Sequence, residues 1–426
     1  MAEGVFAKRT VSFLRGLRER LGRLKPRRSI FVEKHWCVFL GIILLFALLT
    51  RLYGLAGPQE YYFDEIYHSF TAREYLHENP DAWVWYSKPP EGRAYDWVQP
   101  PAAKLLMAAS MWVIGEKPVG WRLPGVLLGV GAVLFVYLIG VALFKNRTVS
   151  LLAAALFALD GLPLVLSRIG TNDSVFLFFT LGTIYFFIKE RYFVSSVFFG
   201  FAASTKLSAI WIPVVCFMLF FVLERKWTPK LVWFVIIPPV MYMLSYVPFF
   251  TTGHDLAQFY ELQKQMIYYH SNLEATHPFS SKAWTWPLML KPIWFFTQSQ
   301  NGMISNIYAQ GNPVVFWAGF VAVLFMLVVA VFSGQRNLWI VLIAYFGFFA
   351  GWSLSPRVMF LYHYLPSVPF LCLALSWSVM SNKHWKKASI LLLILALLVF
   401  VLICPRLIGI PVADSFNALY YKWLPG

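Results

Sequence analysis

Runs of about 20 apolar residues recur along almost the whole chain, and each is long enough to cross a bilayer as a helix. That feature removes most folds from consideration. Inside hydrocarbon every backbone polar group needs an internal partner, so only helices or a closed barrel can span. The runs lack the in-out alternation of barrel strands. The expectation is an all-α polytopic membrane protein with about eleven transmembrane helices. Only 13% of the 426 residues are charged, against roughly 25% in an ordinary soluble domain. The net charge of +16 would suit nucleic acid, but Lys and Arg gather at span ends on one side, as the positive-inside rule expects. Attraction to anionic lipid follows, and nucleic acid is not an expected partner. Cys37, Cys216, Cys372 and Cys404 lie in or beside apolar runs without a CxxC, and read as packing residues.

Residues 1–35 are basic with apolar residues interleaved. They read as a cytoplasmic segment on the inner leaflet, not as a cleaved signal. The membrane domain is expected over residues 36–404, with an external tail at 405–426. Spans are placed at 36–55, 121–144, 149–165, 174–188, 193–206, 207–223, 231–250, 313–332, 338–354, 358–380 and 388–404. Splitting 193–223 into two short spans matters, because one long span would put the later basic loops outside. Two external segments stand out. In residues 56–101, a helix from Asp64 to His77 ends at Asn79-Pro80, an aromatic loop follows, and a second helix starts at Ala102. In residues 251–311, Leu256, Phe259, Tyr260, Gln263, Met266 and Ile267 predict an interfacial helix. Trp284 and Trp286 are expected at headgroup level. Asn301-Gly302 predicts a tight turn between strands 293–298 and 304–309. The glycosylation sequons at Asn146 and Asn172 are discounted, since one faces the cytoplasm and the other hugs the membrane.

Charged side chains near a bilayer are costly and mark sites. The external face collects the carboxylates Asp64, Glu65, Asp96 and Asp173 with the cations Lys104, Arg122, Arg168, Lys206 and Arg357. That set suits a reaction whose leaving group is a lipid-anchored phosphate, with cations holding the phosphate and a carboxylate activating a nucleophile. Each residue also has a plainer reading. Asp64 can cap a helix, Arg122 and Lys206 can snorkel, Arg168 can clasp Asp173, and Arg357 can sit at a turn. The eight histidines show no HExxH spacing, and no DxD motif marks a nucleotide-bound metal, so no metal and no cofactor is expected.

Several blocks resemble the protein O-mannosyltransferases, integral-membrane GT-C glycosyltransferases that use dolichyl or polyprenyl phosphate mannose. Asp64-Glu65 is similar to the family's acidic pair in the first external loop. Asp96-Trp97-Val98-Gln99-Pro100-Pro101-Ala102-Ala103-Lys104 resembles its Asp-x-His-Pro-Pro-x-x-Lys segment, with Gln99 where the family usually has His. Tyr67-His68 likewise replaces a His-Phe order. Trp121-Arg122-Leu123-Pro124, Ser167-Arg168 with Asp173, and Gly200 to Lys206 resemble further blocks. His277-Pro278-Phe279 through Pro287, Gly311-Asn312-Pro313, and Arg357 through His363-Tyr364-Leu365-Pro366 are similar to the C-terminal signatures.

The resemblance implies a GT-C fold with external juxtamembrane helices and a small β-hairpin. It implies an inverting transfer of mannose to Ser or Thr hydroxyls of exported proteins. Asp64 is then the base, and Glu65 an acceptor-site or orienting group. Arg122, Arg168, Lys206 and Arg357 are the implied donor-phosphate ligands. Asp96, Gln99, Lys104, Asp173, His363 and Tyr364 bind substrate or support the site. The large external region has no room for a β-trefoil MIR domain, which points to a compact type in a prokaryotic plasma membrane with the site outside. The implied partners are a polyprenyl-phosphate-mannose lipid, a Ser/Thr-bearing protein and membrane lipid, and they leave room for a dimer. One competing reading is a GT-C enzyme moving another lipid-linked sugar to a lipid or glycan. The other is a lipid-linked-sugar transporter, against which stands the clustering of charge on the outer face.

Overall fold

A computed structural model describes residues 15, 16, 18–224, 226–355 and 357–420. Residues 1–14 of the basic segment and 421–426 of the tail lie outside the described residues. A short helix α1 (Ile30–Lys34) precedes α2 (Trp36–Leu52), the first apolar run. The first large loop carries α3 (His68–Leu76) and α4 (Ala102–Ile114), so the two helices expected there are present. Next come α5 (Pro118–Phe144), α6 (Arg147–Ala158), α7 (Gly161–Ser167), α8 (Asp173–Ile188), α9 (Tyr192–Ala203), α10 (Trp211–Val222), α11 (Trp233–Ser245) and α12 (Val247–Thr251). The second large loop holds α13 (Leu256–Asn272) and the hairpin β1 (Ile293–Gln300) and β2 (Met303–Ala309). The chain closes with α14 (Pro313–Ser333), α15 (Arg336–Phe349), α16 (Val368–Met380), α17 (Trp385–Ile408), β3 (Val412–Ala413) and α18 (Asp414–Tyr420).

Among the described residues five helices are long and apolar enough to cross a membrane, and the α6–α7 pair, bent by 62°, makes a sixth if counted as one span. The apolar helices Trp36–Leu52, Asp173–Ile188, Tyr192–Ala203 and Leu207–Val222, together with α15, occupy the remaining expected spans. The chain breaks between α9 and α10 at residues 204–206, so the short-span reading of 193–223 matches the structure. Lipid tails are as apolar as Leu, so the bundle is held by close packing of small residues. A Cβ on Gly125 would lie 2.9 Å from Ser167 O, and one on Gly129 would lie 2.6 Å from Ser167 Cβ. These two glycines let α7 press against α5.

The ends of the bundle sort as the charge pattern expects. Arg27 N donates to Met380 O at 2.8 Å, Asn146 Nδ2 donates to Arg27 O at 3.0 Å, and Gln335 Nε2 donates to Leu24 O at 3.4 Å. The basic segment therefore lies with the basic inter-span turns. The two large loops lie together at the opposite end, joined by contacts such as Phe63 stacked on Phe295. One expectation needs correction, and the tail first adds a detail: α17 runs on to Ile408, and β3 adds a third strand to the hairpin, pairing Val412 with Ile304. Two paired residues give too weak an alternation to detect in sequence. Trp286 is buried, not interfacial: its Nε1 donates to Ser281 Oγ at 3.0 Å, and its ring packs against Phe349 and His363. Trp284 is the exposed one.

Candidate active site

The acidic pair follows α2 in the 3-10 turn Phe63–Ile66. Phe63 sits at φ +48°, a left-handed conformation that a bulky residue holds only when its surroundings fix it. The fixing contact is its ring, stacked on Phe295 with centroids 3.9 Å apart. Beyond this kink the two carboxylates diverge.

Glu65 turns into the protein and is fully buried. Arg122 donates Nε to Oε1 at 2.7 Å and Nη2 to Oε2 at 2.8 Å, a bidentate pair. Gly170 N donates to Oε1 at 2.8 Å. Glycine fits there without rearrangement, whereas a Cβ would meet Ser69 Oγ at 2.0 Å and Trp121 Cδ1 at 2.9 Å. Arg122 Nη1 also donates to Leu55 O at 3.0 Å. Arg168 serves the same region differently. Its Nη1 donates to Thr50 O at 3.0 Å and Arg51 O at 2.7 Å, satisfying carbonyls at the C-terminal end of α2. Arg122 and Arg168 therefore do not line the cavity described below. Arg122 is held by Glu65 and backbone carbonyls, and Arg168 by two carbonyls of α2 through Nη1.

Asp64 turns the other way, onto an open cavity of about 620 Å³ between the first large loop, α8, the α9–α10 break, α13 and the segment before α16. Its carboxylate has no hydrogen bond or ion pair among the described residues. Burial pushes its pKa up to about 6, with His68 and Lys206 pulling it down and Asp173 and Asp96 adding to the rise. The wall also contains Tyr67, His68, Asp96, Gln99, Asn172, Asp173, Lys206, His270, Arg357 and His363.

The other carboxylates are paired. Asp96 Oδ2 accepts from Lys104 Nζ at 2.8 Å and lies 2.6 Å from His68 Nδ1. Burial alone would raise the Asp96 pKa, but Lys104 and His68 outweigh it and hold the group below the usual carboxylate range. Lys104 is fully buried and also donates to Gln99 O at 2.8 Å, so it supports the loop from behind the cavity. Asp173 Oδ1 accepts from Lys206 Nζ at 2.7 Å, and that Nζ lies 5.3 Å from the Tyr362 ring centre. Asp173 thus pairs with Lys206, not with Arg168.

Arg357 differs from the other cations. Its Nη1 meets His270 Nδ1, and no carboxylate reaches it among the described residues. His270 donates from Nε2 to Val98 O at 2.8 Å, so a neutral ring with its proton on Nε2 satisfies both contacts. Burial lowers the His270 pKa, with Arg357 adding to the fall, which keeps that ring neutral. Arg357 Nε is buried without a partner. His363 joins the wall beside Trp352 and Tyr362, whereas Tyr364 faces the core, its hydroxyl 2.6 Å from that of Tyr345.

Two loop contacts position the lysine. Ala102 N donates to Ser204 O at 2.8 Å, and Gln99 Oε1 accepts from Leu207 N at 3.1 Å. The unwound turn carrying Lys206 therefore hangs from the Pro100-Pro101 loop. The sequence reading missed His270, Asn172 and Tyr362 as wall residues. A signal existed for His270, which lies one turn beyond the buried Met266 on α13. The sequon reading of Asn172 hid its place beside Asp173.

Two family models match the chain: "Dolichyl-phosphate-mannose-protein mannosyltransferase" over residues 98–247, and "C-terminal four TMM region of protein-O-mannosyltransferase" over residues 255–426. The polyprenol-phosphate-mannose–protein mannosyltransferase of Mycolicibacterium smegmatis is 23% identical across 90% of this chain and 92% of that protein. Its counterpart from Corynebacterium glutamicum is 26% identical across 79% of this chain and 81% of its own length. Among solved structures, the S. cerevisiae Pmt1-Pmt2 complex bound to the sugar donor matches with a TM-score of 0.77 at 15% identity, covering 96% of this chain and 94% of that one. ArnT from Cupriavidus metallidurans bound to undecaprenyl phosphate matches at 0.60 and 14% identity, over 83% of this chain and 62% of that one. These likenesses establish a GT-C fold, and with the matches along the sequence they make the chain a membrane-embedded glycosyltransferase belonging to the protein O-mannosyltransferase family.

Proposed function

We propose that this chain transfers mannose from a polyprenyl phosphate to Ser or Thr hydroxyls of proteins, with the cavity at Asp64 as its active site. One observation carries the reading. Once Asp96 is paired with Lys104 and Asp173 with Lys206, the cavity keeps, among the described residues, one uncompensated carboxylate, Asp64, and one guanidinium without a carboxylate, Arg357. A base and an anion ligand are what a hydroxyl attack with phosphate departure requires. The acceptor oxygen attacks C1 of the sugar and its proton passes to Asp64. The bond from C1 to the phosphate oxygen breaks, with inversion at C1. The phosphate leaves with the electron pair, held by Arg357 and Lys206.

Glu65 and Arg122 orient the loop that presents Asp64, and Arg168 anchors the end of α2. Lys104 and Asp96 brace the same loop, and His68 orients on Asp96. We place the cavity on the external face of a prokaryotic plasma membrane and residues 15–35 on the cytoplasmic side. Support comes from the packing of the basic segment against the basic turns at the far end of the bundle. The chain then divides into a basic segment (1–35), a membrane domain (36–404) and a tail (405–426) whose strand joins the external hairpin.

The test is reconstitution of the purified chain in lipid with mannosyl, glucosyl and aminoarabinosyl polyprenyl phosphates and a Ser/Thr-rich peptide. Mannosyl-peptide is expected from the first donor only. Transfer of another sugar in preference to mannose would overturn the assignment.

A further inference from the structure

The face of α13 that meets the first large loop is built unlike its buried side. Leu262 and Met266 go into the core. Gln265, Tyr268, Tyr269 and Asn272 recur at i, i+3, i+4 and i+7 and so share another stripe. Opposite them stand Trp85 and Trp97 from the loop. The two sides do not close on each other. They leave a second open groove of about 440 Å³, within the size range of small-molecule sites. Trp97 and Tyr269, packed edge to face at 5.6 Å, line this groove and the active-site cavity alike, so the two adjoin.

Four aromatic side chains supply apolar faces to the groove, and Tyr268 is 63% exposed. The polar groups beside them offer acceptors. Gln265 donates Nε2 to Glu261 Oε1 at 2.8 Å, and Asn272 donates Nδ2 to Tyr268 O at 2.9 Å. Each amide oxygen is left unused among the described residues. Glu274 adds a carboxylate that no described group pairs. A proline-rich segment would bring further carbonyl acceptors and few N–H groups. A pyranose brings the complement: hydroxyl donors around its rim and a C–H face that packs on an aromatic ring. The boundary with the active-site cavity is one pair of rings, a span that a few residues of extended chain cross at about 3.3 Å each. A sugar in this groove is therefore within reach of the chain whose hydroxyl is being attacked. Resting on the mannosyl-transfer reading above, we propose that the groove is a product-reading subsite. It holds a mannose already carried by the acceptor polypeptide while a neighbouring Ser or Thr is modified. The enzyme then favours chains it has already modified and sets mannoses in clusters.

The test uses the full chain reconstituted in lipid with mannosyl polyprenyl phosphate and a set of peptides. Each peptide has one target Thr and, at a stepped spacing from it, a second Thr that is bare or mannosylated. Wild type should show a KM about 10-fold lower for the mannosylated peptide at one or two spacings, with no gain at the rest. Tyr268 and Asn272 are exposed and lie outside the wall of the active-site cavity. Tyr268→Ala and Asn272→Ala should each lose most of that preference, with kcat/KM for the bare peptide unchanged. Trp85→Ala should lose all of it, and its melting temperature reports any damage to the loop. Equal KM for bare and mannosylated peptides at every spacing would overturn the proposal while leaving mannosyl transfer standing. So would a preference that survives in both exposed variants. A loss shared equally by bare and mannosylated peptides would make the groove a contact for polypeptide or lipid headgroups, and would overturn it too. Absence of transfer by wild type to any bare peptide would overturn the reading it rests on, and this proposal with it.

Discussion

Asp64 and Glu65 are neighbours in the chain, and the structure gives them opposite surroundings. Glu65 is sealed behind the loop with a bidentate arginine and a backbone N–H. Asp64 faces a cavity with no partner of its own among the described residues, and the same wall holds a guanidinium that no described carboxylate reaches. The sealed carboxylate is a structural tie, because its own two oxygens are answered by Arg122 and Gly170 within the chain. The open one is available for chemistry, because its answering groups must arrive with substrate. In a membrane protein, then, the presence of a charge marks importance, and the completeness of its pairing tells which kind.

Asp64→Asn should have the largest effect. Loss of a general base should lower turnover about 10³-fold while donor binding, measured by filter retention of labelled lipid, is retained. Unchanged turnover would remove Asp64 from its role. Next is Arg122→Ala, which strands a buried carboxylate and should cost about 3–5 kcal/mol of stability, read as a lowered melting temperature. Adding Glu65→Leu should recover part of that loss. If Arg122→Ala instead weakened donor binding at unchanged stability, the division between sealed and open charges would fail.

The cavity cations come third. Arg357→Ala should raise the donor KM about 10- to 100-fold with little change in melting temperature, since among the described residues the arginine's one hydrogen-bond partner is His270. Arg168→Ala should do the reverse, lowering stability because two carbonyls of α2 lose their donor. The smallest effect concerns pH. With the Asp64 pKa pushed up to about 6, kcat/KM should fall tenfold per pH unit below that value. Because burial raises this pKa in the folded state, the ionised carboxylate disfavours folding. The penalty is absent below the ordinary value of 3.8 and complete above about 6. Asp64→Asn should therefore be more stable than wild type at pH 8, by about 1–2 kcal/mol after allowing for partial exposure, and no more stable at pH 3.5.

Much of the architecture could be read from the chain because its signals are local. Apolar runs gave the spans, Asn301-Gly302 gave the hairpin, and Lys206 at the end of a short run gave the break between α9 and α10. The site was legible as a set of charged residues but not as an arrangement. Arg122 and Arg357 look alike in sequence, each flanking an apolar span. Only the fold shows that Glu65 saturates the first while a neutral histidine from α13 leaves the second unanswered. Asn172 was hidden for the same reason: its place in the cavity wall can be seen only once its neighbours are in place. The third strand at Val412 escaped because it borrows its regularity from the hairpin it joins.

The turn bearing Lys206 is suspended from the Pro100-Pro101 loop by the bonds from Ala102 to Ser204 and from Leu207 to Gln99. A movement that makes room for a polypeptide along that loop must drag the lysine with it. On the proposed reading, lipid docking on the lysine in turn steadies the loop. Affinity for either substrate is then linked to occupancy by the other, and by the same factor in both directions.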